Sequence, residues 1–297
     1  MSEKKEARSG EPATGKRSPA TGYRLPANSE GRIAARFSDL RAKNRTALIP
    51  FITAGDPFPD ATVEVMHALV EAGADAIELG VPFSDPMADG PVIQHASERA
   101  LTKHVGIAQI LRWVRTFHER DAQTPMVLMG YLNPIEIYGI RRFAREAHEA
   151  GVDGVLIVDC PIEEDATLQP LRDAGLRRIL LAAPTTSDAR LQQIALAAEG
   201  YLYYVSFAGI TGAARLQIEE VEARVHALKE ICQVPIAVGF GIKDAEGAAR
   251  IGAFADAVVI GSALVERLAG SKDANEACSR VLEFIAPIRT ALDARRL

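Results

Sequence analysis

Short apolar and β-branched runs recur along the chain at Leu48–Thr53, Ala74–Leu79, Met126–Tyr131, Gly154–Val158, Arg178–Ala182, Tyr201–Ser206, Pro235–Phe240 and Ala257–Gly261. Each is largely apolar rather than alternating, the pattern of a parallel strand covered on both faces. Between them lie segments with a helical period. In Ala61–Ala72, Val63, Met66 and Val70 share one face and Glu64, His67 and Glu71 the other, with Asp60 as N-cap and Gly73 as C-cap. Arg142–Ala150, Glu163–Ala174, Asp188–Ala198, Glu219–Cys232 and Asp244–Gly252 behave similarly. The segments EAGAD, EAGVD and DAGLR place Gly73, Gly151 and Gly175 just past a helix and before the next strand. The long interval from Leu79 to Met126 has room for extra helices over Val92–Leu101 and Ile107–Arg120. Eight alternating units in ~250 residues predict an α/β fold, a (β/α)8 TIM barrel with extra helices. The rival doubly wound sheet needs a nucleotide fingerprint. Gly239-Phe-Gly241-Ile lacks the third glycine and no GxxxxGK[ST] occurs.

This pattern starts only after the first 30 residues. Residues 1–30 contain one Leu (Leu25), no Ile, Val or Phe, and six basic against four acidic side chains. Such a segment cannot bury enough apolar surface to offset its ordering entropy, so it reads as a disordered N-terminal extension whose removal changes little. Residues 31–297 then form one barrel domain. The extension lacks the apolar stretch of a secretory signal, and Glu3, Glu6 and Glu11 are out of character for a transit peptide. The 297 residues carry a net charge of −5, and the chain beyond the extension −7, which argues against a nucleic-acid backbone binder. No stretch approaches the ~18 uncharged apolar residues of a membrane span. Cys160, Cys232 and Cys278 are far apart and odd in number, which excludes a disulfide scaffold and a Cys-rich zinc site. A cytoplasmic location is the expectation.

In a barrel, chemistry gathers where strands end and βα loops begin. Glu78 lies inside the apolar strand Ala-Ile-Glu-Leu-Gly, where a carboxylate is costly unless paired or protonated. One reading pairs it with a buried Lys or Arg, yet no other strand offers a central basic residue. The other makes it a catalytic carboxyl with a raised pKa. Asp89, eleven positions on in a loop bounded by Pro and Gly, reads alone as an N-cap for a helix starting near Pro91. Beside Glu78 it becomes the second carboxylate needed to move protons at two places on one substrate. Gly212, Gly241 and Gly261-Ser262 follow the last three strands, where barrels commonly hold phosphate on backbone N–H groups and the N-terminus of a short helix. His67, His95, His104, His118, His148 and His226 show no HxH or HExxH spacing, so no metal site is predicted. Cys160, at a strand end, reads as packing rather than as a nucleophile.

The blocks Pro50-Phe-Ile-Thr-Ala-Gly-Asp-Pro, Glu78-Leu-Gly-Val-Pro-Phe-Ser-Asp-Pro-Met-Ala-Asp-Gly-Pro-Val-Ile-Gln94, Ser206-Phe-Ala-Gly-Ile-Thr-Gly212, Gly239-Phe-Gly-Ile and Gly261-Ser-Ala resemble the tryptophan synthase α subunit family, in family order over about Arg36–Ile288. The resemblance implies retro-aldol cleavage of indole-3-glycerol phosphate to indole and glyceraldehyde 3-phosphate. It implies Glu78 as general acid/base at indole C3 and at the side-chain hydroxyl, and Asp89 as the carboxylate receiving the indole N–H. It also implies Tyr203 as a substrate contact, Phe51 as an apolar wall, Thr211 and Gly212 as part of a mobile loop, and Gly212, Phe240, Gly241, Gly261 and Ser262 as the phosphate site. The implied partner is a β subunit carrying pyridoxal phosphate, in an α2β2 tetramer, facing Asp85 and the Cys160-Pro161 turn. This chain itself is then expected to bind no cofactor. Phe207 departs from the family, in which that position is variable and often polar or small. The rivals are a stand-alone indole-glycerol-phosphate lyase, a related phosphate-binding synthase and a barrel retained only to activate its β partner. The synthase calls for strand-borne catalytic lysines, which are missing. The non-catalytic barrel has no reason to keep both Glu78 and Asp89.

Overall fold

The computed structural model describes residues 31–205, 214–239 and 241–294. Its strands β1 (Ala47–Thr53), β2 (Ile77–Gly80), β3 (Met126–Gly130), β4 (Gly154–Ile157), β5 (Arg177–Ala182), β6 (Leu202–Val205), β7 (Ile236–Gly239) and β8 (Ala257–Ile260) pair in parallel and close in chain order. The predicted (β/α)8 barrel is therefore the observed fold. Around it lie α1 (Gly31–Ala42), α2 (Thr62–Glu71), α3 (Pro91–Leu101), α4 (Ile107–Arg120), α5 (Leu132–Tyr138), α6 (Ile140–Ala150), α7 (Gln169–Asp173), α8 (Asp188–Ala197), α9 (Ala214–Ile231), α10 (Ala245–Ile251), α11 (Ser262–Ala269) and α12 (Ala274–Asp293). The extension of residues 1–30 lies outside the described residues.

Several local expectations change. Asp60 does not cap α2: it sits in a 3-10 turn, Pro59–Ala61, and Ala61 occupies the N-cap. The buried face of α2 centres on Val65, Met66 and Leu69, with Val63 and Val70 at its margins, because α12 also packs against this helix. The predicted helix Glu163–Ala174 is a 3-10 stretch, Ile162–Leu168, followed by the short α7. Pro170 at the start of α7 has no N–H to continue a helix from the preceding turn. The N-cap of α3 is Gly90, which frees Asp89 from that role. Gly73, Gly151 and Gly175 all adopt positive φ, as their place at helix ends requires.

The barrel floor, at the strands' N-terminal ends, repeats one device. Asp75, Asp153, Glu199 and Asp256 precede β2, β4, β6 and β8. Their side chains accept the N–H of Leu48, Met126, Arg178 and Ile236, at the starts of β1, β3, β5 and β7, at 2.8–3.0 Å. Each acid's own N–H donates back to the carbonyl of the same residue. Each also meets a cation: Arg289 at 3.0 Å, Arg32 at 2.8 Å, Arg172 at 2.8 Å and Lys229 at 2.9 Å respectively. Arg32 anchors α1, whose Ile33, Phe37 and Leu40 plug the floor. His118 lies beside Arg32, and burial together with that guanidinium pushes its pKa down to about 4, so it is neutral there at pH 7.

Candidate active site

Strand alternation sends Phe51 and Thr53 of β1, Glu78 and Gly80 of β2, Met129 of β3 and Tyr203 of β6 toward the barrel axis. Glu78 pairs in register with Phe51 on one side and Val127 on the other and is fully enclosed. Among the described residues no basic side chain reaches it. Its partner is Tyr201, just ahead of β6 on the opposite side of the barrel, whose hydroxyl donates to Oε1 at 2.5 Å. Oε2 is buried with no hydrogen-bond partner. Burial raises the carboxyl pKa to about 7, and the Tyr201 hydrogen bond only partly offsets this. The reading of Glu78 as the partner of a buried Lys or Arg therefore fails, and Glu78 is neutral over much of the pH range below 7. Tyr203 is close enough for Glu78 and burial to hold its phenol well above the usual range.

Asp89 comes back over the mouth into a cleft lined by Phe51, Thr53, Gly80, Met129 and Tyr131. Tyr131 bridges the loop to β3. Its hydroxyl donates to Asp89 Oδ2 at 3.1 Å and accepts the Ala88 N–H at 3.1 Å, while its ring packs on Phe83 at 5.3 Å. The Gln94 amide donates to the Asp89 carbonyl at 2.8 Å. Burial raises the Asp89 pKa, and Tyr131 opposes the rise. Thr53 Oγ1 lies in the same cleft, buried and without a partner. A buried polar atom left unsatisfied costs about 1–3 kcal/mol, so two of them facing one interior mark a place kept for something other than stability. The cleft encloses only about 10 Å³, and Phe51 lies across it because Gly80 is a glycine: a Cβ there would stand 2.5 Å from the Phe51 ring.

Gly261 adjoins Phe51, where a Cβ would meet the ring at 3.6 Å, and it forms the N-cap of α11. The first bonds inside α11 run from Leu264 and Val265 to the Gly261 carbonyl, leaving the amides of Ser262 and Ala263 outside the helix's own ladder. The Ser262 side chain is exposed at this helix start, whose unpaired amides are of the kind that can receive an anion. Gly241 follows β7 with φ +58°. Phe207, Thr211, Gly212 and Phe240 lie outside the described residues.

Asp85 is exposed, with the Ser84 hydroxyl donating to it at 2.5 Å. Pro161 is exposed as well, and the buried Arg178 side chain fixes its turn by donating to the Cys160 and Pro161 carbonyls at 3.0 and 2.9 Å. Cys160 is buried among apolar side chains, as expected of a packing residue. Among the described residues no group of three His, Cys, Asp or Glu could hold a metal, and no helix is long and apolar enough to cross a membrane. A larger groove of about 780 Å³ between α6 and α7 contains none of the sequence-predicted residues. Tyr201, Tyr131 and Thr53 were not singled out from sequence, because tyrosine and threonine are ordinary strand formers.

A sequence model described as "Tryptophan synthase alpha chain" matches residues 37–292. The tryptophan synthase alpha chain of Xylella fastidiosa (strain 9a5c) is 59% identical over 264 residues, covering 89% of this chain and 98% of that one. That of Methylococcus capsulatus is 57% identical over 265 residues, covering 89% and 99%. The crystal structure of tryptophan synthase subunit alpha from Legionella pneumophila str. Paris superposes with a TM-score of 0.82 at 44% identity, covering 89% of this chain and 98% of that one. A chain of Mycobacterium tuberculosis tryptophan synthase, solved in an aminoacrylate- and BRD0059-bound form, gives a TM-score of 0.78 at 33% identity, covering 88% and 98%.

Proposed function

The chain belongs to the tryptophan synthase alpha chain family, and on that premise we propose how its own residues carry the family's reaction. The family cleaves indole-3-glycerol phosphate to indole, which passes to a β subunit, and this chain is a lyase of that kind. Breaking the carbon–carbon bond turns indole into a leaving group, so C3 must gain a proton first. Glu78, neutral in its apolar strand, gives that proton to C3. Asp89 stabilises the positive charge that develops on the ring by accepting a hydrogen bond from the indole N–H, which keeps its proton. The bond to C3 then breaks, its electrons return to the ring, and the side-chain hydroxyl loses its proton to the Glu78 carboxylate as it becomes the aldehyde of glyceraldehyde 3-phosphate.

Phe51 forms an apolar wall for the indole and Tyr203 a contact from β6. Ser262, Gly261 and Gly241 hold the phosphate, and the family resemblance adds Gly212, Phe240 and Thr211 as substrate contacts. Substrate opens the narrow cleft by displacing Phe51 and the Asp89 loop. Apart from the carbon–carbon cleavage itself, each step is a proton transfer, and pyridoxal phosphate belongs to the β subunit. The partner meets the face that carries Asp85 and Pro161, in a cytoplasmic α2β2 tetramer. Met87, 81% exposed on the loop after β2, and Ile137, 80% exposed on α5, supply apolar anchors on this face.

The observation that carries this reading is a carboxyl sealed in an apolar barrel and held by a phenol instead of a cation. Indole release from indole-3-glycerol phosphate, measured with and without the β subunit, tests it. Glu78→Gln loses nearly all turnover while substrate binding stays within about twofold, since the amide keeps the shape but has no proton to transfer. Full activity in that variant rejects the assignment.

A further inference from the structure

Four positions of the floor layer are alanine (Ala47, Ala76, Ala237 and Ala257), and the hollow they leave is filled by Ile33, Phe37 and Leu40 of α1. The Phe37 ring stands 6.0 Å from the Tyr201 ring, tilted by 47°. Tyr201 is itself fully enclosed, so its ring cannot swing in a close-packed interior without displacing Phe37. Its hydroxyl, in turn, makes the hydrogen bond to Glu78 Oε1. The helix is fixed at its start by Arg32, which pairs with Asp153 and donates to the Gly151 carbonyl.

We propose that Phe37 is a positioning residue for the reaction, acting from the barrel floor by fixing the Tyr201 phenol that orients the Glu78 carboxyl. This rests on the reading of Glu78 as the general acid. It makes α1, which plugs the floor at the far end of the barrel from the mouth, a determinant of the acid's proton affinity. Among the described residues, the titratable groups facing Glu78 are two phenols, Tyr201 and Tyr203. Its register neighbours, Phe51 and Val127, carry none.

The test titrates the Glu78 carboxyl by carbon NMR in the ligand-free protein and follows the pH profile of indole release, in Phe37→Ala and Phe37→Leu, each with and without Tyr201→Phe. A phenol that drifts from Oε1 no longer favours the charged form, so Phe37→Ala raises the midpoint by about one pH unit and Phe37→Leu by about half as much. The alkaline limb of kcat follows, and KM stays within about twofold. In the Tyr201→Phe background neither change at position 37 moves the midpoint further. A midpoint that stays at the wild-type value in folded Phe37→Ala overturns the proposal, as does an equal shift with and without the Tyr201 hydroxyl. If Phe37→Ala does not fold, the same two outcomes are read from Phe37→Leu. The titration needs no substrate, so a wild-type protein that releases no indole would reject the functional reading and leave this measurement standing.

Discussion

With Oε1 tied to Tyr201 and Oε2 buried without a partner, Glu78 keeps its proton to about pH 7, whereas an unfolded chain loses it near 4.5. Between those values the folded state holds a proton that the unfolded state has released, so this group's contribution to stability falls as pH rises from 4.5 and levels off above 7. Glu78→Gln removes the ionisation, so the variant is more stable than the wild type at pH 8 by up to about 3 kcal/mol, with the gap closing toward pH 5. Urea melts at the two pH values check this. An equal gap at both would place the effect in packing. Asp89→Asn severely impairs turnover. Tyr131→Phe, which deprives Asp89 Oδ2 and the Ala88 N–H of their partner, lowers kcat about tenfold while leaving stability near the wild type, as steady-state kinetics beside a thermal melt will show. Glu78 was legible in the sequence because a carboxylate breaks an apolar run. Tyr201 was not, because a tyrosine opening a strand breaks no pattern, and only closure of the barrel sets it opposite β2.

At the scale of elements, the strands were legible because both faces of each are covered and the apolar runs are unbroken. The helices shifted where tertiary packing overrode local period. In α2 the second layer, α12, moved the buried stripe, and Pro170 divided what the period alone joined. Helix α1 went unpredicted because its apolar positions, Ile33, Phe37 and Leu40, are few and directly follow the polar extension. Helix α12 is fastened by Arg289, buried between Asp75 and the Thr46 carbonyl. Arg289→Met leaves Asp75 buried without its cation and costs about 3 kcal/mol, measured by denaturant unfolding at pH 7. Turnover at a permissive temperature stays at the wild-type level, because the side chain sits on the floor.

For the whole molecule, the strand C-termini hold the proposed site and the N-termini the fastening. Ile137→Ser, on a helix outside the cleft, weakens β-subunit affinity about tenfold with basal indole release unchanged, read by titration calorimetry and by the assay without partner. The four acids on the floor join strands two by two, β1 with β2, β3 with β4, β5 with β6 and β7 with β8. A break in the chain between Pro161 and Gln169 separates no acid from the strand it holds. Of the four cations, only Arg289 reaches across that break, from α12 to Asp75. The two halves, expressed as separate polypeptides, carry complete edges to offer each other, with the Arg289–Asp75 and Arg45–Asp293 ion pairs locking the seam. The molecule is thus a pair of half-shells in which every floor acid stays in the same half as the strand it holds.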